Sequence, residues 1–188
     1  MSNIVVMNKA YSDEKALESV ITYCAGLTVK HEKCIGYKVY GAINFSVEHI
    51  VMDFNHVKEV WGKTEGRQLC HIVETIDVPH NKNNFGNYGM SRDKQIKYAE
   101  KTSLELGKLI WNAGYQNCFF VHNDTDHVHV HYVINTVNMF TGRKIHNLGD
   151  IGYMMHNYVA KNYKELVWKG VYFRNSKGDL FDEEIEYN

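Results

Sequence analysis

The sequence predicts an α+β fold, with a central antiparallel sheet and helices packed on one side of it. Short segments with strand-type alternation are interleaved with amphipathic helical segments, in the order β-α-loop/β-α-β-α-β-β-α. Residues 116–135 read as a hairpin, which makes at least one strand pair antiparallel. The helices are long enough to cover one sheet face and leave the other open for a site. At 188 residues, with 44% hydrophobic and 23% charged, the chain can bury the core of one domain.

Asn3–Lys9 reads as the first strand. Ser12 is a candidate N-cap, followed by Asp13 and Glu14 where the helix dipole favours acids. Leu17, Val20, Ile21 and Cys24 then make a helical apolar stripe that ends near Gly26. Tyr23 falls about 110° from the centre of that stripe, at an edge from which a hydroxyl can face a cleft or simply stay half buried. Leu27–Lys38 is a basic loop leading to a short strand, and its Lys30 and Lys33 are candidate phosphate contacts. Ser46–Trp61 is a second helix with Val47, Ile50, Val51, Phe54 and Trp61 on its core face.

Gln68–Asp77 alternates as a strand, with His71, Val73 and Thr75 on one face and Cys70, Ile72, Glu74 and Ile76 on the other. Glu74 therefore sits either among apolar neighbours or close to a site. Pro79 to Met90 is a long polar loop. Ser91 caps a helix running to Ala113, and Gly114 stops it. Asn138 to Lys144 is a turn carrying Arg143 and Lys144, and Gly149–Trp168 reads as a last helix.

Eleven histidines occur in the chain, four of them between His122 and Asn135. His127, His129, His131, Val133 and Asn135 share one strand parity, while Val128, Val130, Tyr132 and Ile134 share the other, so one face is imidazole and the other apolar. A hairpin turn at Asn123–Asp126 returns the end of the preceding strand, His122, to that imidazole face. Same-face neighbours on a strand lie roughly 7 Å apart, within reach of one ion, and three imidazoles with open positions form a catalytic type of centre. A solvated polar face is the bland alternative. His127 shares the parity and competes with His122 as a ligand.

The four cysteines form no Cys-x-x-Cys pair and read as packed thiols. The net charge of −1 conceals an acidic end: Asp179–Asn188 holds five acids and no base, leaving 21 basic against 17 acidic residues in the remainder. That balance is compatible with a polyanionic partner. The expected division is a domain over 1–178 and a candidate disordered tail over 179–188. No apolar run approaches the roughly 18 residues of a membrane span, and no secretory leader is visible, so the expected location is the cytoplasm.

His122-x-Asp124, His129-x-His131 and Asn135 resemble the third motif of the relaxase/mobilisation nuclease family, within the HUH endonuclease group, and most closely its MOBP-like members. Gly66-Arg67-Gln68-Leu69-Cys70-His71-Ile72-Val73 is similar to the strand bearing the second motif, with Thr75-Ile76 where Ser-Phe is common, and Thr141-Gly142-Arg143-Lys144 to the segment after the third. Tyr23 falls where the first motif carries its nucleophile.

The resemblance implies an HUH-type α+β fold and a site- and strand-specific nickase acting on single-stranded DNA at an origin of transfer, together with accessory transfer proteins. It implies Tyr23 as nucleophile, His122, His129 and His131 around Mg²⁺ or Mn²⁺, and Asp124 polarising His122. Glu74, Thr75, His127 and Asn135 are candidate supporting residues, and Lys30, Lys33, Arg143 and Lys144 candidate DNA contacts. Two other functions stay open. One is a rolling-circle replication initiator using Tyr153, Tyr158 or Tyr163; the other is a non-catalytic, metal-stabilised DNA-binding module. Tyr11, Tyr37 and Tyr40 also compete as nucleophiles.

Overall fold

The computed structural model describes residues 2–28, 34–42, 44–76 and 90–181. Lys30 and Lys33 lie outside the described residues, as does most of the expected Pro79–Met90 loop. The elements are β1 (Ser2–Met7), α1 (Ala16–Cys24), β2 (Cys34–Tyr40), α2 (Val47–Val60), β3 (Leu69–Ile76) and α3 (Arg92–Asn112). They continue with β4 (Asn117–His122), β5 (Val128–Asn135), α4 (Gly149–Asn162), β6 (Trp168–Arg174) and β7 (Leu180–Phe181). The strands form one seven-stranded sheet in the order β2-β4-β5-β3-β1-β6-β7. All its pairings are antiparallel except β1 with β6, which is parallel.

Strand parity sorts the sheet into two chemically different faces. Val128, Val130, Tyr132 and Ile134 of β5 join Ile4, Val6, Ile72 and Ile76 in a core closed by α3 and α4. Gly107 lets α3 settle there, since a Cβ at that position would lie 2.7 Å from the Tyr40 ring and 3.1 Å from that of Phe119. The opposite face carries the imidazoles, interrupted by Leu69, Cys118, Phe120 and Val133. These apolar residues give α1 (Leu17, Ile21, Cys24) and α2 (Ile50, Phe54) something to pack on. Each such buried side chain contributes roughly 1.5–3 kcal/mol. The α+β class and largely antiparallel sheet are as expected, and α1 with α2 adds a partial layer on the site face.

Three boundaries differ from the sequence expectation, one through a local turn and two through strand pairing. Helix α1 begins at Ala16, because Asp13 Oδ1 accepts the Lys15 N–H at 2.8 Å and the Asp13 carbonyl accepts that of Ala16 at 3.0 Å; the resulting turn displaces the helix start from Ser12. The last helix ends at Asn162, and Trp168–Arg174 is a strand that buries Val171 and Phe173 beside β1. Leu180 and Phe181, within the expected tail, pair with Arg174 and Phe173. Among the described residues no helix is long and apolar enough to cross a membrane.

Candidate metal centre and active site

The β4–β5 hairpin brings His122 directly opposite His129, as the alternation required. Ring centroids are 5.2 Å apart for His122 and His129, 4.6 Å for His122 and His131, and 5.0 Å for His129 and His131. One ligand nitrogen from each lies within 4.8 Å of the other two. His122 is fixed by donating its Nε2 proton to the Cys24 carbonyl at 2.6 Å; that tautomer leaves the lone pair on Nδ1. His129 is held below the ordinary imidazole pKa mainly by burial, against a raising contact with the His127 carbonyl. A neutral ring is the form that binds a metal. Three imidazoles within this span fit a divalent ion with open coordination positions.

Behind His131 lies a hydrogen-bonded chain that sequence reasoning missed. His131 Nδ1 and His71 Nε2 are 2.9 Å apart, and His71 Nδ1 is 3.1 Å from the Tyr11 hydroxyl. Burial pushes the His71 pKa down to about 3, with the nearby Lys9 ammonium adding to the effect. Neutral His71 can thus donate on one side and accept on the other. The available signal was its parity: His71 shares the face of Val73 and Thr75, and Val73 pairs with His131. Cys24, His71 and His131 also bring ligand atoms together, but burial raises the Cys24 thiol pKa, and a thiol binds metal as the thiolate. This group is better described as support for His131 than as a second centre.

Tyr23, in the last turn of α1, stands edge-on to His131, with ring centroids 5.9 Å apart and an interplanar angle of 89°. Its pKa is raised, first by burial and then by the neighbouring Cys24 and Asp124, so the phenol is protonated at neutral pH. Asp124 Oδ1 lies 3.8 Å from His129 Nε2, and His122 is oriented by its Nε2 contact with the Cys24 carbonyl. Arg92, at the start of α3, holds the hairpin turn by donating to the Asn123 side chain and to the Asp126 and Thr125 carbonyls, the last two at 3.0 and 2.7 Å.

The remaining sequence candidates separate clearly. Thr75 pairs with His129 and lines the same concavity of about 500 Å³ as Tyr23, His129 and His131, as does His127. Glu74 points to the other face, fully buried, and accepts the Tyr132 hydroxyl at 2.6 Å; it is remote from the imidazoles because its parity is opposite to theirs. Asn135 is also buried, its Nδ2 donating to the Phe54 carbonyl at 2.9 Å and to Gln116 Oε1 at 2.7 Å, which ties α2 to the strand. Arg143 and Lys144 line a separate hollow with Trp61 and Lys63, beyond the far end of β5. Lys144 there donates to the Glu65 carbonyl.

Of the competing tyrosines, Tyr11 lines the same concavity as Tyr23 and meets His71, whereas the others are occupied elsewhere. Tyr163 and Tyr158 donate to Glu105 at 2.5 and 3.2 Å, and both belong with Tyr153 to the core on the opposite face. Tyr40 donates to the Leu104 carbonyl, and Tyr37 stacks on Phe45.

The model of the family described as "Relaxase: MobA/VirD2-like, nuclease domain" matches residues 23–166. Among known proteins, the chain is similar to proteins named "Protein rlx" from Staphylococcus aureus. One is 30% identical over 106 residues, covering 56% of this chain and 28% of that protein. A second is 28% identical over 102 residues, covering 54% and 28%. The chain thus matches little more than a quarter of these relatives' length. No solved structure matches it.

Proposed function

The chain belongs to the MobA/VirD2-like relaxase nuclease family, and from that premise we propose that it is a metal-dependent, site- and strand-specific nickase of single-stranded origin-of-transfer DNA. The role would lie in conjugative transfer or mobilisation, in company with accessory transfer proteins. The observation that carries the reading is the meeting of Tyr23 with the triad His122, His129 and His131 on one sheet face.

In this reading the Tyr23 oxygen attacks the scissile phosphorus. A Tyr–O–P bond forms, the P–O3′ bond breaks, and the products are a 5′-phosphotyrosyl adduct and a free 3′-OH. Asp124 takes the phenolic proton, and the departing 3′ oxygen takes one from solvent. The adduct is a phosphodiester like the bond it replaces, so attack by a 3′-OH reverses the step and religates the strand.

A phenol whose pKa is raised by burial is a weak nucleophile. A divalent ion, Mn²⁺ or Mg²⁺, would supply the positive charge that stabilises the transition state. His122, His129 and His131 would hold it, and an all-imidazole donor set favours Mn²⁺ of the two. With His131 ligating through Nε2, its Nδ1–H donates to His71 and the His71 Nδ1–H to Tyr11, which makes His71 and Tyr11 positioning residues.

The initiator reading needs a nucleophile among Tyr153, Tyr158 and Tyr163, and these side chains belong to the core beneath the other face. The test is incubation with single-stranded DNA from a candidate transfer origin and Mn²⁺, then denaturing electrophoresis and peptide mapping. The expected product is an adduct on Tyr23 that EDTA abolishes. An adduct that persists in Tyr23→Phe overturns the assignment, and metal and DNA binding without any adduct favours the non-catalytic module.

A further inference from the structure

The site face of the sheet does not end at the histidines. His131 pairs with Val73, Val73 with Val5, and Val5 with Tyr172, so one row crosses four strands on a single face. At about 4.8 Å per strand it spans roughly 14 Å. The packing of α1 and α2 centres on Leu69, Cys118, Phe120 and Val133. Beyond them, Val73, Thr75 and Met7 are only half buried, and Val5, Met7 and Val73 line the concavity that also holds Tyr23 and His131.

Two cations close the far side of that concavity. Lys9 follows β1, and Arg174 ends β6 opposite Met7. No carboxylate is among the described residues that line it. Arg174 Nε is buried and has no hydrogen-bond acceptor among the described residues. A buried guanidinium N–H without an acceptor costs free energy, and an incoming anionic oxygen would remove that cost. The Lys9 carbonyl accepts from Arg67 at 2.7 Å, which anchors the backbone while the side chain stays exposed.

We infer that this half of the face is a subsite for the nucleotide next to the scissile phosphate, with its base on Val5 and Val73 and a neighbouring phosphate between Lys9 and Arg174. The inference rests on the nickase reading for its occupant, single-stranded DNA, because the subsite is continuous with the Tyr23 cavity. An apolar floor accepts any base, so contact here contributes affinity and strand alignment in place of sequence readout.

The test is fluorescence anisotropy with a labelled oligothymidylate of about twelve nucleotides, in EDTA, across a range of salt. Lys9→Gln/Arg174→Gln is expected to weaken binding at least about tenfold and to reduce the salt slope by about 0.7, the value for one single-strand phosphate contact. Mn²⁺ affinity by calorimetry should be unchanged. Arg174→Lys should keep most of the binding, and Lys9→Gln alone, at an exposed position, should lose part of it even if the double variant folds poorly. Affinity and slope equal to wild type in folded variants would overturn the subsite. If Tyr23 never forms an adduct and the charge variants still bind the oligonucleotide weakly, the subsite stands and the nickase reading falls. If the adduct forms and folded Lys9→Gln and Arg174→Gln variants bind and nick as wild type does, the subsite alone falls.

Discussion

The two faces of the central sheet are built from the same strands and put ionisable groups to opposite uses. On the face under α3 and α4, Glu74 is sealed among Ile4, Val6 and Tyr132 with one hydrogen bond for two carboxylate oxygens. On the other, three residues away along β3, His71 joins a hydrogen-bonded chain that ends in an open cavity. Two positions of opposite parity on one strand thus differ in the fate of their charge because they point to opposite faces of the sheet. Burial on the core face raises the pKa of its acid, while on the site face it lowers those of His71 and His129.

The largest expected effect comes from breaking the site face at its centre. His131→Ala removes one of the three proposed ligands and the ring against which Tyr23 stands. Mn²⁺ affinity should fall by more than about 100-fold, beyond the loss expected of an outer-sphere substitution, and no Tyr23 adduct should form. Because His131 makes no part of the apolar core under α3 and α4, the melting temperature without metal should change little. A variant that binds Mn²⁺ as wild type does would show that the triad is not the ligand set.

The corresponding change on the core face should alter stability and leave metal binding intact. Burial pushes the Glu74 pKa from its ordinary 4.5 up to about 7, against the lowering contact with the Tyr132 hydroxyl. A raised acid binds protons more tightly folded than unfolded, so the stability it permits is complete below pH 4.5 and is lost as pH rises through about 7. Glu74→Gln keeps an oxygen to accept the Tyr132 proton and removes the charge. Its stability at pH 8 should rise by up to about 3 kcal/mol relative to wild type, and denaturant melts between pH 4.5 and 7 should flatten. An unchanged slope over that interval would mean that another group governs it.

What the sequence showed of this contrast followed parity. The alternation of His127 to Asn135 was sufficient to place His129 and His131 on one face, and the short Asn123–Asp126 turn was sufficient to return His122 to them. Parity could not say which strand lies alongside, so His71 was seen on a strand without its partner, and Glu74 kept two readings until the pairing of β3 with β5 set it against Val130. Asn135 had the right parity at the wrong end of β5, beneath α2. Strand β6 was invisible for a different reason: the helical pattern from Gly149 continued plausibly through Trp168, and only the parallel pairing with β1, a contact distant in sequence, makes Trp168–Arg174 a strand.

A subtler change to the site face should sharpen the roles of Tyr11 and His71. His71→Ala removes the group facing His131 Nδ1 while leaving His122, His129 and His131 in place, and should weaken Mn²⁺ about 10- to 100-fold. Tyr11→Phe removes only the terminal hydroxyl and should do less. His71→Gln can still accept the His131 proton and should recover part of the loss, an outcome that a purely packing role for His71 would not produce.

The smallest effect is expected where the site-face helices begin. Ser46 caps α2, its hydroxyl oxygen accepting the His49 N–H at 3.0 Å, and Ser46→Ala should cost about 1 kcal/mol in denaturant unfolding. Helix α2 reaches the site only indirectly, through its packing with α1, whose last turn carries both Tyr23 and the Cys24 carbonyl that orients His122. If the layer above the imidazoles acts as a rigid support, the variant should lose that stability and retain Mn²⁺ affinity. If Mn²⁺ affinity falls together with stability, α1 and α2 take part in shaping the site, and the site face is a cooperative unit with its helices.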